Sequence, residues 1–204
     1  VRGLYAIIDP EVCLGEPLAL AERVLRGGCA ALQLRDKRSD DAQFLALGRG
    51  LVDACRARGV PFIVNDRFWL AAELQASGVH VGQADAAIER VRQSVGAGVS
   101  VGVSARSLEQ ALDAERRGAD LIGFGPVFAT ATRLPVEPAV GLAALADVCR
   151  ALRLPVVAIG GVTMVNAAAV ASSGAAMGAV ISALAHAGDP QTAARDLHAA
   201  LRGA

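Results

Sequence analysis

Cys29-Ala30-Ala31-Leu32-Gln33-Leu34-Arg35-Asp36-Lys37 is an apolar run that ends in charge. It reads as a buried strand. Successive side chains on a strand point to opposite faces. Leu32 and Leu34 then face one way, while Gln33, Arg35 and, where the strand stays extended, Lys37 face the other. One amide and two cations meet at the carboxyl end of a strand, which is where α/β proteins bind ligands. Two converging cations suit an anion, most simply a phosphate. For these residues alone, a solvated loop following a strand is the plainer alternative.

Outward from this stretch, one pattern recurs. A helical segment ends in glycine and a short apolar strand follows, as at Gly27-Gly28, Gly78, Gly118 and Gly174. Glycine suits the left-handed cap that turns a helix into the next strand. Pro61 and Pro155 introduce two further strands, and another follows Gly96 and Gly98. With Leu4-Tyr5-Ala6-Ile7-Ile8 the strands fall near residues 4–8, 29–35, 61–64, 78–81, 99–103, 119–124, 155–159 and 176–181. Helical segments are expected near 17–27, 40–58, 67–76, 85–95, 107–117, 141–152, 164–173 and 189–202. Eight strand–helix alternations predict a parallel (β/α)8 TIM barrel, with residues 1–204 forming one domain. Strands that are apolar on both faces fit this. A doubly wound open sheet is the rival, but no Gly-x-Gly-x-x-Gly fingerprint accompanies it.

Composition narrows the function. The chain of 204 residues is 53% hydrophobic, with a mean hydropathy of +0.42. Alanine supplies much of this, and no charge-free stretch is long enough to span a bilayer. No basic segment with a long apolar core opens the sequence, so a cytoplasmic protein is expected. Zero net charge and 3% aromatics argue against nucleic-acid binding. The four scattered cysteines, Cys13, Cys29, Cys55 and Cys149, form no Cys-x-x-Cys pair, and most read as small buried hydrophobes.

In a barrel, residues just past each strand share one mouth. Here they are Gln33, Arg35 and Lys37; Asn65 and Asp66; Gln83 and Asp85; Ser104 and Arg106; Thr130, Thr132 and Arg133; Gly160 and Gly161; and Ile181 and Ser182. Asp66 and Asp85 follow adjacent strands, and among cations they suit magnesium held jointly by carboxylates and substrate phosphates. The alternatives are an Asp66–Arg67 pair and Asp85 as a helix cap. Gly160-Gly161 permits close approach of a phosphate to backbone N–H groups, or is simply a tight turn. The long segment 125–140, with three prolines, reads as an active-site loop. Trp69, near Asp66, is either a packing residue between helices or a reporter of that carboxylate.

The motifs together resemble the thiamine-phosphate synthase (thiamine-phosphate pyrophosphorylase) family. They are Gln33-Leu34-Arg35-Asp36-Lys37, Val64-Asn65-Asp66-Arg67, Gly78 through Asp85, Gly102-Val103-Ser104-Ala105, Gly123 through Thr132, Ala158 through Val162 and Val180 through Ala183, in family order. The resemblance implies a magnesium-dependent transferase of thiamine biosynthesis. It would join hydroxymethylpyrimidine pyrophosphate to thiazole phosphate, through ionisation to a pyrimidine carbocation and capture by the thiazole nitrogen. It assigns Gln33, Arg35, Lys37, Asn65 and Ser104 to the pyrimidine pyrophosphate and Asp66 and Asp85 to Mg2+. Thr130, Thr132, Gly161, Ile181 and Ser182 go to the thiazole phosphate. Arg35, Lys37, Ser104 and Arg133 are the expected catalytic group.

Two positions depart from the family pattern. Arg133 stands where lysine is usual after Thr-x-Thr, and Arg106 stands where histidine is frequent. Two alternatives follow: an isomerase like the thiazole tautomerase of the same pathway, and a non-catalytic phosphate-binding relative. No membrane or nucleic-acid partner is expected, and assembly into a homo-oligomer is left open.

Overall fold

The computed structural model describes residues 1–82, 86–130 and 137–203. Eight parallel strands close into a barrel, each paired with its sequence neighbour and β1 with β8. They are β1 (Gly3–Ile8), β2 (Ala31–Leu34), β3 (Phe62–Asn65), β4 (Gly78–Val81), β5 (Ser100–Ala105), β6 (Leu121–Phe124), β7 (Val156–Ala158) and β8 (Met177–Val180). The helices are α1 (Pro17–Gly27), α2 (Asp41–Arg56), α3 (Ile88–Val95), α4 (Leu108–Arg116), α5 (Gly141–Ala151), α6 (Ala167–Ser172), α7 (Ser182–Ala185) and α8 (Pro190–Arg202). Among the described residues no helix is long and apolar enough to cross a membrane.

Local chemistry sets the helix boundaries. Asp40 caps α2: its carboxylate accepts the Gln43 N–H at 2.8 Å, and its own N–H donates to the Gln43 side chain at 3.2 Å. This reciprocal pair satisfies two donors that the first turn leaves open. Pro17 and Pro190 open α1 and α8, where a missing N–H costs nothing.

Two of the expected helical features differ. The segment after β3 is a short 3-10 turn at Phe68–Leu70 followed by turns, not a helix over 67–76. Tight bonds close it, from Ala71 N to Phe68 O and from Gln75 N to Ala72 O, both 3.1 Å. Gln75 then turns into the left-handed region at φ 49°. An extra single-turn helix, α7, follows β8. The cap position of α3 is Ala87; the capping alternative for Asp85 falls on a residue outside those described.

Alternation along the strands divides the apolar residues into two cores. Leu4, Ala6 and Ile8, Leu32 and Leu34, Val79 and Val81, and Val101 and Val103 face the helices. Tyr5, Ile7, Ala31, Val157, Met177 and Ala179 fill the barrel interior. Interior packing extends to glycine. A Cβ on Gly102 would lie 2.6 Å from the His80 ring, and one on Gly123 would lie 2.8 Å from it. The imidazole occupies the space that two missing side chains leave on neighbouring strands.

The chain ends are joined through α1 and α8. A Cβ on Gly27, the last residue of α1, would lie 2.2 Å from the Gln191 carbonyl oxygen. Backbone cannot yield as a flexible side chain does. Gly27→Ala should therefore lower stability by about 1–3 kcal/mol, read as a drop in the urea midpoint. Gly15→Ala, where a Cβ meets nothing within 4 Å, should stay within about 0.5 kcal/mol of the parent.

Candidate active site

A cleft of about 380 Å³ opens at the carboxyl ends of the strands. That volume suits a small-molecule ligand. Gln33, Arg35 and Lys37 line it from β2 and its extension, Asn65 and Asp66 from β3, and Ser104 and Arg106 from β5. Thr130 lines it from the loop after β6, Gly160 and Gly161 from the end of β7, and Ile181 and Ser182 from the end of β8. Gln83, Asp85, Thr132 and Arg133 lie outside the described residues.

The turn after β2 fixes the cations. Asp36 accepts the Arg38 and Ser39 N–H groups, both at 3.0 Å. Partial burial opposes its ionisation, but these bonds prevail and hold its pKa below the usual carboxylate value. Arg35 pairs with Asp9, a carboxylate only 1% exposed at the end of β1. Lys37 pairs with Asp66. Arg106 pairs with Glu137 at 2.8 Å, which ties the end of β5 to the loop before α5.

Asp66 adopts the left-handed backbone region at φ 59°. That conformation costs energy for a residue with a Cβ and is tolerated best by Asn and Asp. Its N–H donates to His80 O at 2.8 Å. Arg67 turns away to Asp41 at 2.6 Å and lies over the Phe44 ring at 5.0 Å. This replaces the expected Asp66–Arg67 alternative. The second oxygen of Asp41 accepts the Trp69 indole N–H at 2.9 Å. Trp69 is 54% exposed, so it does not pack between helices.

The cleft floor holds residues that the strand-end reading passed over. Gln33 donates to the Tyr5 hydroxyl at 3.0 Å. Burial pushes the Tyr5 phenol far above its usual pKa, offset only in part by that bond. It stays a neutral hydrogen-bonding group. His80 Nε2 lies 2.9 Å from Ser104 Oγ, so the imidazole orients the hydroxyl. The period-2 alternation that placed Gln33 inward also places Tyr5 and His80 inward, and it was the signal available for both. Asp9 and Glu137 gave no such signal, being single acidic residues in turn-rich sequence.

Gly160 and Gly161 both take positive φ, 90° and 66°. A Cβ on Gly160 would lie 2.5 Å from Pro126, and one on Gly161 2.7 Å from Phe128. Val127 and Phe128 donate to the carbonyls of Ile159 and Gly160 at 2.8 and 3.1 Å. The Asn166 amide donates to Gly161 O at 2.9 Å while its oxygen accepts the Thr163 N–H at 2.8 Å. The glycine pair is thus a tight turn that also seats the loop carrying Thr130.

The thiols take no part in the cleft. Burial pushes Cys29 and Cys55 up to about 12, and neither lines the cleft.

Comparisons with known proteins bear on this arrangement. Residues 4–184 match the family model described as thiamine monophosphate synthase. The thiamine-phosphate synthase of Roseiflexus castenholzii is 43% identical over 198 residues, covering 96% of this chain and 87% of that protein. That of Methanocella arvoryzae is also 43% identical over 198 residues, covering 96% and 93%. The solved thiamine phosphate pyrophosphorylase from Pyrococcus furiosus superposes with a TM-score of 0.89 at 34% identity, covering 98% of this chain and 95% of that one.

Gly161→Ala should disturb the cleft as well as the fold. The added Cβ meets Phe128 and the Ala129 carbonyl in a strained backbone, a cost of about 1–3 kcal/mol. A melting temperature lower by several degrees should accompany at least about tenfold weaker binding of a phosphate ligand in titration, because the displaced loop carries Thr130.

Proposed function

This chain belongs to the thiamine monophosphate synthase family, and we propose that its cleft joins hydroxymethylpyrimidine pyrophosphate to thiazole phosphate, giving thiamine phosphate and pyrophosphate. We read residues 1–204 as one domain carrying this transferase activity. The observation that supports it most is the convergence of Arg35 and Lys37 from β2 with Asp66 from β3 in one cleft. The two cations can offset charge on a leaving pyrophosphate, and the carboxylate suits a metal ion that would do the same.

The chemistry asks little of side chains as acids or bases. The pyrimidine methylene C–O bond breaks, its electron pair leaves with pyrophosphate, and the carbocation takes the lone pair of the thiazole nitrogen. Catalysis then rests on stabilising the departing charge and aligning two rings. Arg35 and Lys37 hold the pyrophosphate from one side, and Arg133 is proposed to do so from the loop after β6. Gln33 and Asn65 orient the pyrimidine on the cleft wall. Ser104, directed by His80, presents its hydroxyl to the same substrate. Thr130, Thr132, Gly161, Ile181 and Ser182 hold the second phosphate.

The donor set suits magnesium. Asp66 offers hard carboxylate oxygens at the mouth, and Asp85 follows the adjacent strand. Among the described residues no three His, Cys, Asp or Glu side chains gather into an all-protein cage. Magnesium is characteristically held by one or two carboxylates with substrate phosphates completing the set. When bound, it would neutralise pyrophosphate oxygens. The isomerase alternative gains nothing from Arg106, which is engaged with Glu137, since a guanidinium is a poor proton shuttle. A proton shuttle needs a group that titrates.

Purified protein should form thiamine phosphate from the two substrates with magnesium, and excess EDTA should abolish it. Asp66→Ala should lower kcat by more than about tenfold, since even outer partners of a metal site are worth that much; Asp66→Asn, which tolerates the left-handed backbone at φ 59°, should do the same with the melting temperature nearly kept. Undiminished product in EDTA would remove the metal from the mechanism, and no product under any metal condition would sink the synthase reading.

Trp69 supplies a second readout. Its indole shares Asp41 with Arg67, the residue after Asp66. Intrinsic fluorescence should change on adding pyrophosphate with magnesium, change less with either alone, and stay flat in Asp66→Ala. A saturable signal persisting in that variant would place binding away from this carboxylate.

A further inference from the structure

We infer that Asp9 is a positioning residue for this reaction: it holds the Arg35 guanidinium in the orientation that meets pyrophosphate. The inference rests on the functional reading above. Asp9 does not itself line the cleft. It stands behind Arg35, one residue beyond the end of β1.

Asp9 divides its two oxygens between two tasks. Oδ1 accepts the Glu11 N–H at 3.0 Å, while the Asp9 carbonyl accepts Val12 N at 3.0 Å and Cys13 N at 3.1 Å. These bonds shape the turn leaving β1. Oδ2 pairs with Arg35 Nη1. The Asp9 side chain is 1% exposed and that of Arg35 19%. A carboxylate this buried cannot give up its cation without leaving an unpaired charge, which is strongly unfavourable. The backbone reinforces the pairing, because Arg35 N donates to Ile8 O at 2.9 Å. One guanidinium nitrogen, Nη1, is therefore committed, while the side chain still lines the cleft. A planar fork anchored at one nitrogen recognises phosphate with less loss of freedom than a free side chain.

The Lys37–Asp66 pair is of another kind. Lys37 is 46% exposed and Asp66 19%, so water can replace either partner. On binding, that pair can open while Asp9–Arg35 stays shut.

The test turns on a sign. Removing the Asp9 charge makes the cleft more positive, which by charge alone would tighten an anion. Removing a positioning contact weakens it. Calorimetric titration of the full chain with inorganic pyrophosphate and magnesium should show Asp9→Asn binding about tenfold more weakly, the scale on which such outer partners act. The asparagine oxygen can still accept the Glu11 N–H, but its amide presents donors to a donor. Asp9→Ser, which keeps one oxygen for the turn, should behave alike, so a folding failure in one variant leaves the other to decide.

In an Arg35→Ala background, Asp9→Asn should cause no further loss, because its effect runs through Arg35. Equal or tighter binding in Asp9→Asn overturns the inference, as does an additive loss in the double variant. Absence of binding by the parent protein would overturn the reading of the cleft itself, and the inference with it. Parent binding with unchanged Asp9→Asn overturns the inference alone.

Discussion

Closure of the sheet is the constraint on which the rest depends. Once β8 pairs with β1, the sheet has no unpaired edge strand, and each strand has a neighbour on both sides. Each strand must then send alternate side chains inward and outward. Outward residues build the shell beneath the helices. Inward residues have a fixed cross-section to fill, so a large group on one strand demands small ones beside it. His80 against Gly102 and Gly123 is that demand met. The filled interior gives the cleft a floor, and the loops past the strands give it walls.

The same constraint explains what was legible in the sequence. Alternation along Leu32-Gln33-Leu34-Arg35 is a property of the strand alone, so it could be read without neighbours. Strands flanked by glycine or proline were legible for a similar reason. The segment after β3 was not. Phe68-Trp69-Leu70-Ala71-Ala72 has a helix-like composition, but β4 follows so closely that the chain closes in a 3-10 turn. Propensity gave way to the connection length.

The site divides along the same line. Residues placed by strand register were readable as cleft-facing groups, and Asp66 followed directly from its strand. Asp9 and Glu137 depend on which loops fold back against which cations, and nothing local to Asp9-Pro10-Glu11 announces a partner 26 positions away. Tyr5 and His80 obey the same alternation but lie within β1 and β4, short of the strand ends. The rule applies as well one layer deeper, where side chains orient the groups above them.

Three cleft cations, Arg35, Lys37 and Arg106, each stand beside a carboxylate from a different strand connection. Among the described residues the mouth is therefore rich in positive groups and yet nearly neutral as a surface. Its field at long range is weak, because each pair looks from a distance like a small dipole. Capture of a charged ligand then depends on contact rather than on steering from afar. Association should accordingly respond only gently to ionic strength, since screening acts on net charge beyond about a Debye length, ~8 Å in physiological salt.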